Sequence, residues 1–175
     1  MKNLTKHIKI FVIVFIAGVL IGSIITNFIS PEKISAIIPS VNNSITKSAI
    51  FQTSLINILK LILAIFIFGF IKHNYYFLQL ILLIKGAFFG TVIAAFTRKM
   101  GLDGFAFSIV SILPHHIFLL PLLFIAVFIA INKKNVSLSA YCLLMAAVAL
   151  LSVLPASIDA FITSSLVNYF AFLIR

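Results

Sequence analysis

The chain has 175 residues, 63% hydrophobic and 9% charged, with a mean hydropathy of +1.27. Soluble domains average about 45–50% apolar and about 25% charged residues, so this composition excludes a soluble globular domain and indicates an integral membrane protein. The formal net charge is +10, but the basic residues are scattered between apolar runs, which points to membrane orientation and away from nucleic acid.

Five apolar runs are long enough to cross a bilayer, at 10–30, 49–71, 75–97, 104–131 and 138–158; a span needs about 20 residues. Backbone groups in lipid have no water to bond, so the runs must be helices. The expected fold is an all-α integral membrane protein, a bundle of five transmembrane helices forming one domain over 1–175, with lipid as its surroundings. The first run follows Lys2, Lys6 and Lys9. It exceeds the about 7–15 residues of a signal-peptide core and no small-residue cleavage site follows, so it reads as an uncleaved anchor. The stretch 31–48 reads as a polar loop.

With the N-terminus in the cytoplasm, the inner segments carry Lys2, Lys6, Lys9, Lys72, Lys133 and Lys134 and no acid. The outer segments carry Lys33, Lys47, Arg98, Lys99 and Arg175 beside Glu32, Asp103 and Asp159. Six basic residues against five is a small bias. The basic N-terminus decides the orientation, because the first helix often dominates.

Gly18 and Gly22, and Gly86 and Gly90, form two GxxxG motifs. Such spacing lets another helix approach closely. Both read as packing faces, and self-association into a homo-oligomer stays open. Gly101 and Gly104, in Met100-Gly-Leu-Asp-Gly104, read as a tight outer turn.

Lys60, Lys85, His115 and His116 lie near the centres of their runs. A lysine there costs about 2.5–3.5 kcal/mol on insertion scales, and ionisable groups at that depth are functional candidates by default. All four are expected to share one mid-membrane polar layer, as a proton relay or a pocket for an anion or lipid head group. The structural alternative is that Lys60 snorkels and the histidines satisfy backbone carbonyls. No acid falls in that layer, since Asp159 is expected at the outer edge. The run 104–131 would measure about 42 Å against a hydrocarbon core of about 30 Å. Pro114 and Pro121 free the carbonyls of Val110 and Ile117, so the fourth helix is expected to be kinked or broken at these prolines. In the tail 159–175, Ile162, Leu166, Tyr169, Phe170 and Leu173 share a helical face, which suggests an interfacial helix or a short sixth span.

No catalytic constellation is evident. The three carboxylates are all assigned to outer edges, and no serine or cysteine has an evident base. No phosphate-binding glycine loop occurs. The single cysteine, Cys142, has no metal-site spacing around it. No enzyme activity, cofactor or metal is therefore expected.

Lys85-Gly86 with Gly90, then Gly101-Leu-Asp-Gly104-Phe105, then Leu113-Pro114 and Pro121 together resemble the stage II sporulation protein M family. The resemblance is carried mainly by 80–131, with Asp159-Ala160-Phe161 matching an acid before Ala-Phe near the end of the last span. His116 stands where many relatives have a small residue, and Leu119 where many have an acid. The resemblance implies a multi-spanning, non-enzymatic membrane protein acting in engulfment of the forespore. It also implies partners, the membrane-anchored peptidoglycan hydrolases stage II sporulation proteins D and P. On the residues alone, a transporter or lipid translocator using the Lys/His layer is the other reading.

Overall fold

The computed structural model describes residues 2–29, 46–72, 74–163 and 165. In chain order these form α1 (Lys2–Asn27), α2 (Lys47–Phe68), α3 (Asn74–Ile131), a 3-10 turn (Asn132–Asn135), α4 (Leu138–Leu151), α5 (Val153–Ile158) and a π-helical turn (Asp159–Thr163). No strand occurs among the described residues.

Four helical runs among the described residues are long and apolar enough to cross a membrane: Ile8–Asn27, Lys47–Phe68, Asn74–Asn135 and Leu138–Thr163. The difference from five lies in α3, where two expected spans belong to one run of 62 residues. That run reverses direction at Gly101, whose φ of 65° and ψ of −139° are the only non-helical pair within α3. Glycine alone adopts such a conformation without strain. Beyond the turn the chain folds back on itself. The Phe96 and Phe107 rings are 5.0 Å apart, and those of Phe89 and His116 are 4.9 Å apart. Asn74 Nδ2 donates to the Ala130 carbonyl at 2.9 Å. These partners separate steadily in sequence away from Gly101, as in an antiparallel hairpin of two arms, 74–100 and 102–131. Gly104 seats the second arm against the first, because a Cβ there would strike the Phe96 carbonyl.

Of the expected kink or break at Pro114 and Pro121, the break is corrected. Both prolines lie inside the second arm, and no residue around them leaves helical geometry. Proline's fixed φ of about −65° is itself helical, and the buried side chains of Leu119, Leu122 and Leu123 hold the arm in the core. The hinge is the glycine turn.

The two GxxxG motifs meet each other. A Cβ on Gly18 would strike the Leu83 carbonyl, and one on Gly22 the Ala87 carbonyl. In return, Gly86 presses on the Phe15 carbonyl and Gly90 on that of Val19. Contacts rise together along both helices, so α1 runs parallel to the first arm. Thr91 Oγ1 donates to the Gly22 carbonyl at 3.2 Å, and Thr26 Oγ1 to the Thr91 carbonyl at 3.4 Å. Arg98 closes this end by donating to the carbonyls of Thr26 (3.0 Å) and Ile29 (2.8 Å). Cationic donors at a helix C-terminus satisfy carbonyls that have no partner within the helix.

The core is built from helical stripes. Ser54, Ile58, Ile62 and Ile65 are buried on α2, and Asn74, Leu78, Leu82, Gly86 and Gly90 repeat every fourth residue on the first arm. At the end opposite Gly101, Tyr141 stacks on Phe66 at 5.2 Å and donates to its carbonyl at 2.9 Å. Lys133 Nζ lies 3.4 Å from the Phe70 ring centroid, a cation–π contact. The outward faces remain apolar, with Leu150 75% and Leu143 72% exposed. A soluble monomer rarely exposes such continuous apolar surface.

Candidate functional site

Three of the ionisable residues converge on one cavity of ≈ 330 Å3. Lys85 enters from the first arm, His115 from the second and Asp159 from the π-helical turn; Thr53, Ser54 and Asn57 of α2 form the facing wall. The local sequence explains the approach of Lys85. Gly86 is pressed against α1, and its neighbour lies about 100° round the helix, directed past that joint into the gap beside α2.

His115 is positioned by the last helix. Its Nδ1 donates to the Pro155 carbonyl at 2.9 Å. A carbonyl can only accept, so Nδ1 carries a proton, and in the neutral tautomer this defines the lone pair is on Nε2. His116 turns the other way. Its Nδ1 donates to the Ile112 carbonyl at 2.9 Å, and its ring packs 4.9 Å from that of Phe89 and 5.1 Å from that of His115. Both histidines thus bind backbone carbonyls, but those of Pro155 and Ile112 rather than the ones freed by Pro114 and Pro121.

Asp159 is the residue that sequence reasoning set apart. It was expected at the outer edge, with no acid beside the lysine. It lines the cavity together with Lys85. The cause is that the last helix does not end at 158. Ala160 and Thr163 are buried and carry the helix on as a π turn packed beside α2. The buried positions Tyr141, Met145, Val148, Ser152, Ala156, Ala160 and Thr163 keep helical spacing throughout. That periodicity was the available signal. The rest of the tail, 166–175, assigned above to an interfacial helix or sixth span, lies outside the described residues.

Lys60 does not join this cavity. It lines a separate apolar hollow of ≈ 490 Å3 between α2 and α4, with Leu59, Phe66 and Met145. Cys142 also lines that hollow and is exposed. No cluster of three metal-ligating side chains occurs among the described residues.

Chemically, the cavity offers a cation, a carboxylate, an imidazole acceptor, two hydroxyls and an amide within a mostly apolar bundle. The bonded nitrogen of His115 is committed to a backbone carbonyl rather than to a hydroxyl or carboxylate. The arrangement offers donors and acceptors able to hold a polar group.

No curated protein and no solved structure gave a match to this chain. The family model for stage II sporulation protein M matches residues 10–164. That stretch contains both GxxxG motifs, the Gly101 turn and every residue of the cavity. The chain belongs to the stage II sporulation protein M family, and is a sporulation-related membrane protein.

Proposed function

We propose that this protein is a non-enzymatic, multi-spanning scaffold. It organises membrane-anchored peptidoglycan hydrolases, of the kinds called stage II sporulation proteins D and P, at the septal membrane during forespore engulfment. The observation that carries the reading is the family match over 10–164, which covers nearly all of the bundle. Five crossings are supported by the hairpin. A straight run of 62 residues would measure about 93 Å, roughly three bilayer cores, whereas the turn at Gly101 makes each arm one crossing. A cytoplasmic N-terminus is supported by charge: Lys72, Lys133 and Lys134 lie at the end of the bundle where α1 begins, and basic residues favour the inner side.

The test is deletion and complementation in the native host, with imaging of the engulfing membranes and of fluorescently tagged hydrolases. Loss of the protein should disperse the hydrolases and stall membrane migration. Hydrolases that stay focused at the septum without it would refute the scaffold. The cavity favours a second reading, transport or lipid translocation through the Lys85, His115 and Asp159 site. That reading requires flux in liposomes which Lys85→Ala abolishes; flux indifferent to Lys85 would end it.

A further inference from the structure

The cavity carries both signs of charge. Lys85 supplies a cation and Asp159 an anion to the same ≈ 330 Å3 space. The acceptor side is larger than the carboxylate, because His115 donates its Nδ1–H to the Pro155 carbonyl, which in that neutral tautomer leaves Nε2 to accept. Across from them, Thr53, Ser54 and Asn57 contribute hydroxyl and amide groups. Thr53 and Asn57 are exposed, so this wall opens along the helix instead of sealing the space. The surface around it is otherwise apolar.

This set suits neither a bare anion nor a bare cation. Asp159 would repel the first and Lys85 the second, in a setting where charges are poorly screened. A ligand with both charges answers both groups at once. We propose that the cavity binds a zwitterionic head group, with a primary ammonium held by Asp159 and His115 Nε2 and a phosphate or carboxylate held by Lys85 and the polar wall of α2. The lipid-facing opening makes an aminophospholipid the natural source, and a free soluble zwitterion is the other. The inference does not depend on the scaffold. It concerns binding alone, so its failure leaves the scaffold untouched.

The full-length protein, delipidated in mild detergent, is titrated separately with phosphatidylethanolamine, phosphatidylglycerol and water-soluble phosphoethanolamine, and bound molecules are counted by native mass spectrometry. Phosphatidylglycerol keeps the phosphate and lacks the ammonium. The wild type should prefer phosphatidylethanolamine by about tenfold or more, the size of one good polar contact. Asp159→Asn should erase that preference, and Lys85→Met should weaken both lipids. Lys60→Met, in the other hollow, should change neither. Asp159→Glu should restore the preference, which separates a lost carboxylate from a lost fold. Phosphoethanolamine binding comparable to that of the lipid supports the site with a soluble source; lipid binding alone supports it with a membrane source. Equal affinity of the wild type for the two lipids, or a preference indifferent to both Asp159→Asn and Lys85→Met, would overturn the proposal.

Discussion

Gly90→Ala tests the joint between α1 and the first arm of α3 with a single methyl group. The new Cβ would strike the Val19 carbonyl oxygen and lie 2.8 Å from its carbon and 2.9 Å from the Val19 Cα. Carbon contacts are comfortable at about 3.5–4.0 Å, so α1 must retreat by roughly 1 Å. The obstacle is backbone, which has no rotamer to yield. Overpacking of this kind costs about 1–3 kcal/mol. The same shift takes the Thr91–Gly22 and Thr26–Thr91 bonds, at 3.2 and 3.4 Å, out of range. Such interhelical bonds are worth about 0.6 kcal/mol each in membranes. The better helix propensity of alanine returns about 1 kcal/mol. The net loss is about 1–3 kcal/mol, a roughly 5- to 160-fold change in the folded population. Thermal unfolding of the detergent-purified protein reads this as a lowered Tm. Phe88→Ala, on the exposed side of the same helix, serves as the control and should move little. A Gly90→Ala protein as stable as wild type would refute the close parallel packing of the two GxxxG motifs.

Other substitutions probe separate parts of the account by the same unfolding assay. Gly101→Ala adds a Cβ that meets nothing within 4 Å, so its cost is conformational, about 1–3 kcal/mol for forcing an L-residue to φ 65°; an unchanged Tm would argue against the hairpin turn. Arg98→Gln leaves the α1 carbonyls of Thr26 and Ile29 without their shared cation and should cost roughly 1 kcal/mol for this exposed group, with Arg98→Lys recovering part of it. His115→Phe keeps an aromatic ring but loses one bond to the Pro155 carbonyl, which still accepts the Asp159 N–H, at about 0.5–1.5 kcal/mol. Tyr141→Phe keeps the stack on Phe66 and loses one bond, at about 0.5–1.5 kcal/mol.

Length and hydropathy made the helical spans legible, because a bilayer imposes a minimum run and forbids unpaired backbone. The turn at Gly101 was legible for a similar reason: a glycine cluster between two apolar runs has few alternatives. Packing partners were less so. GxxxG announces a close approach but not to which helix, and only the folded chain shows Gly18 and Gly22 against Gly86 and Gly90. The prolines left a kink and a break both open, and packing around Leu119 and Leu123 keeps the arm helical. The cavity was half legible. Depth was inferred from position within each run, which grouped Lys85 with His115. Which way a side chain turns is decided by neighbouring helices, so Lys60 was grouped with them although it faces another hollow. Asp159 was lost to a span ended five residues too early, although the buried stripe through Ala160 and Thr163 continues.

The most direct measurement is a mild-detergent pull-down of the tagged protein from sporulating and growing native cells, with mass spectrometry of what accompanies it. The scaffold account predicts membrane-anchored peptidoglycan hydrolases enriched from sporulating cells. It also predicts that they stay bound to Lys85→Met and are lost from Gly90→Ala. A preparation free of hydrolases in both cell states, while the wild type still unfolds cooperatively and still binds lipid, would contradict it.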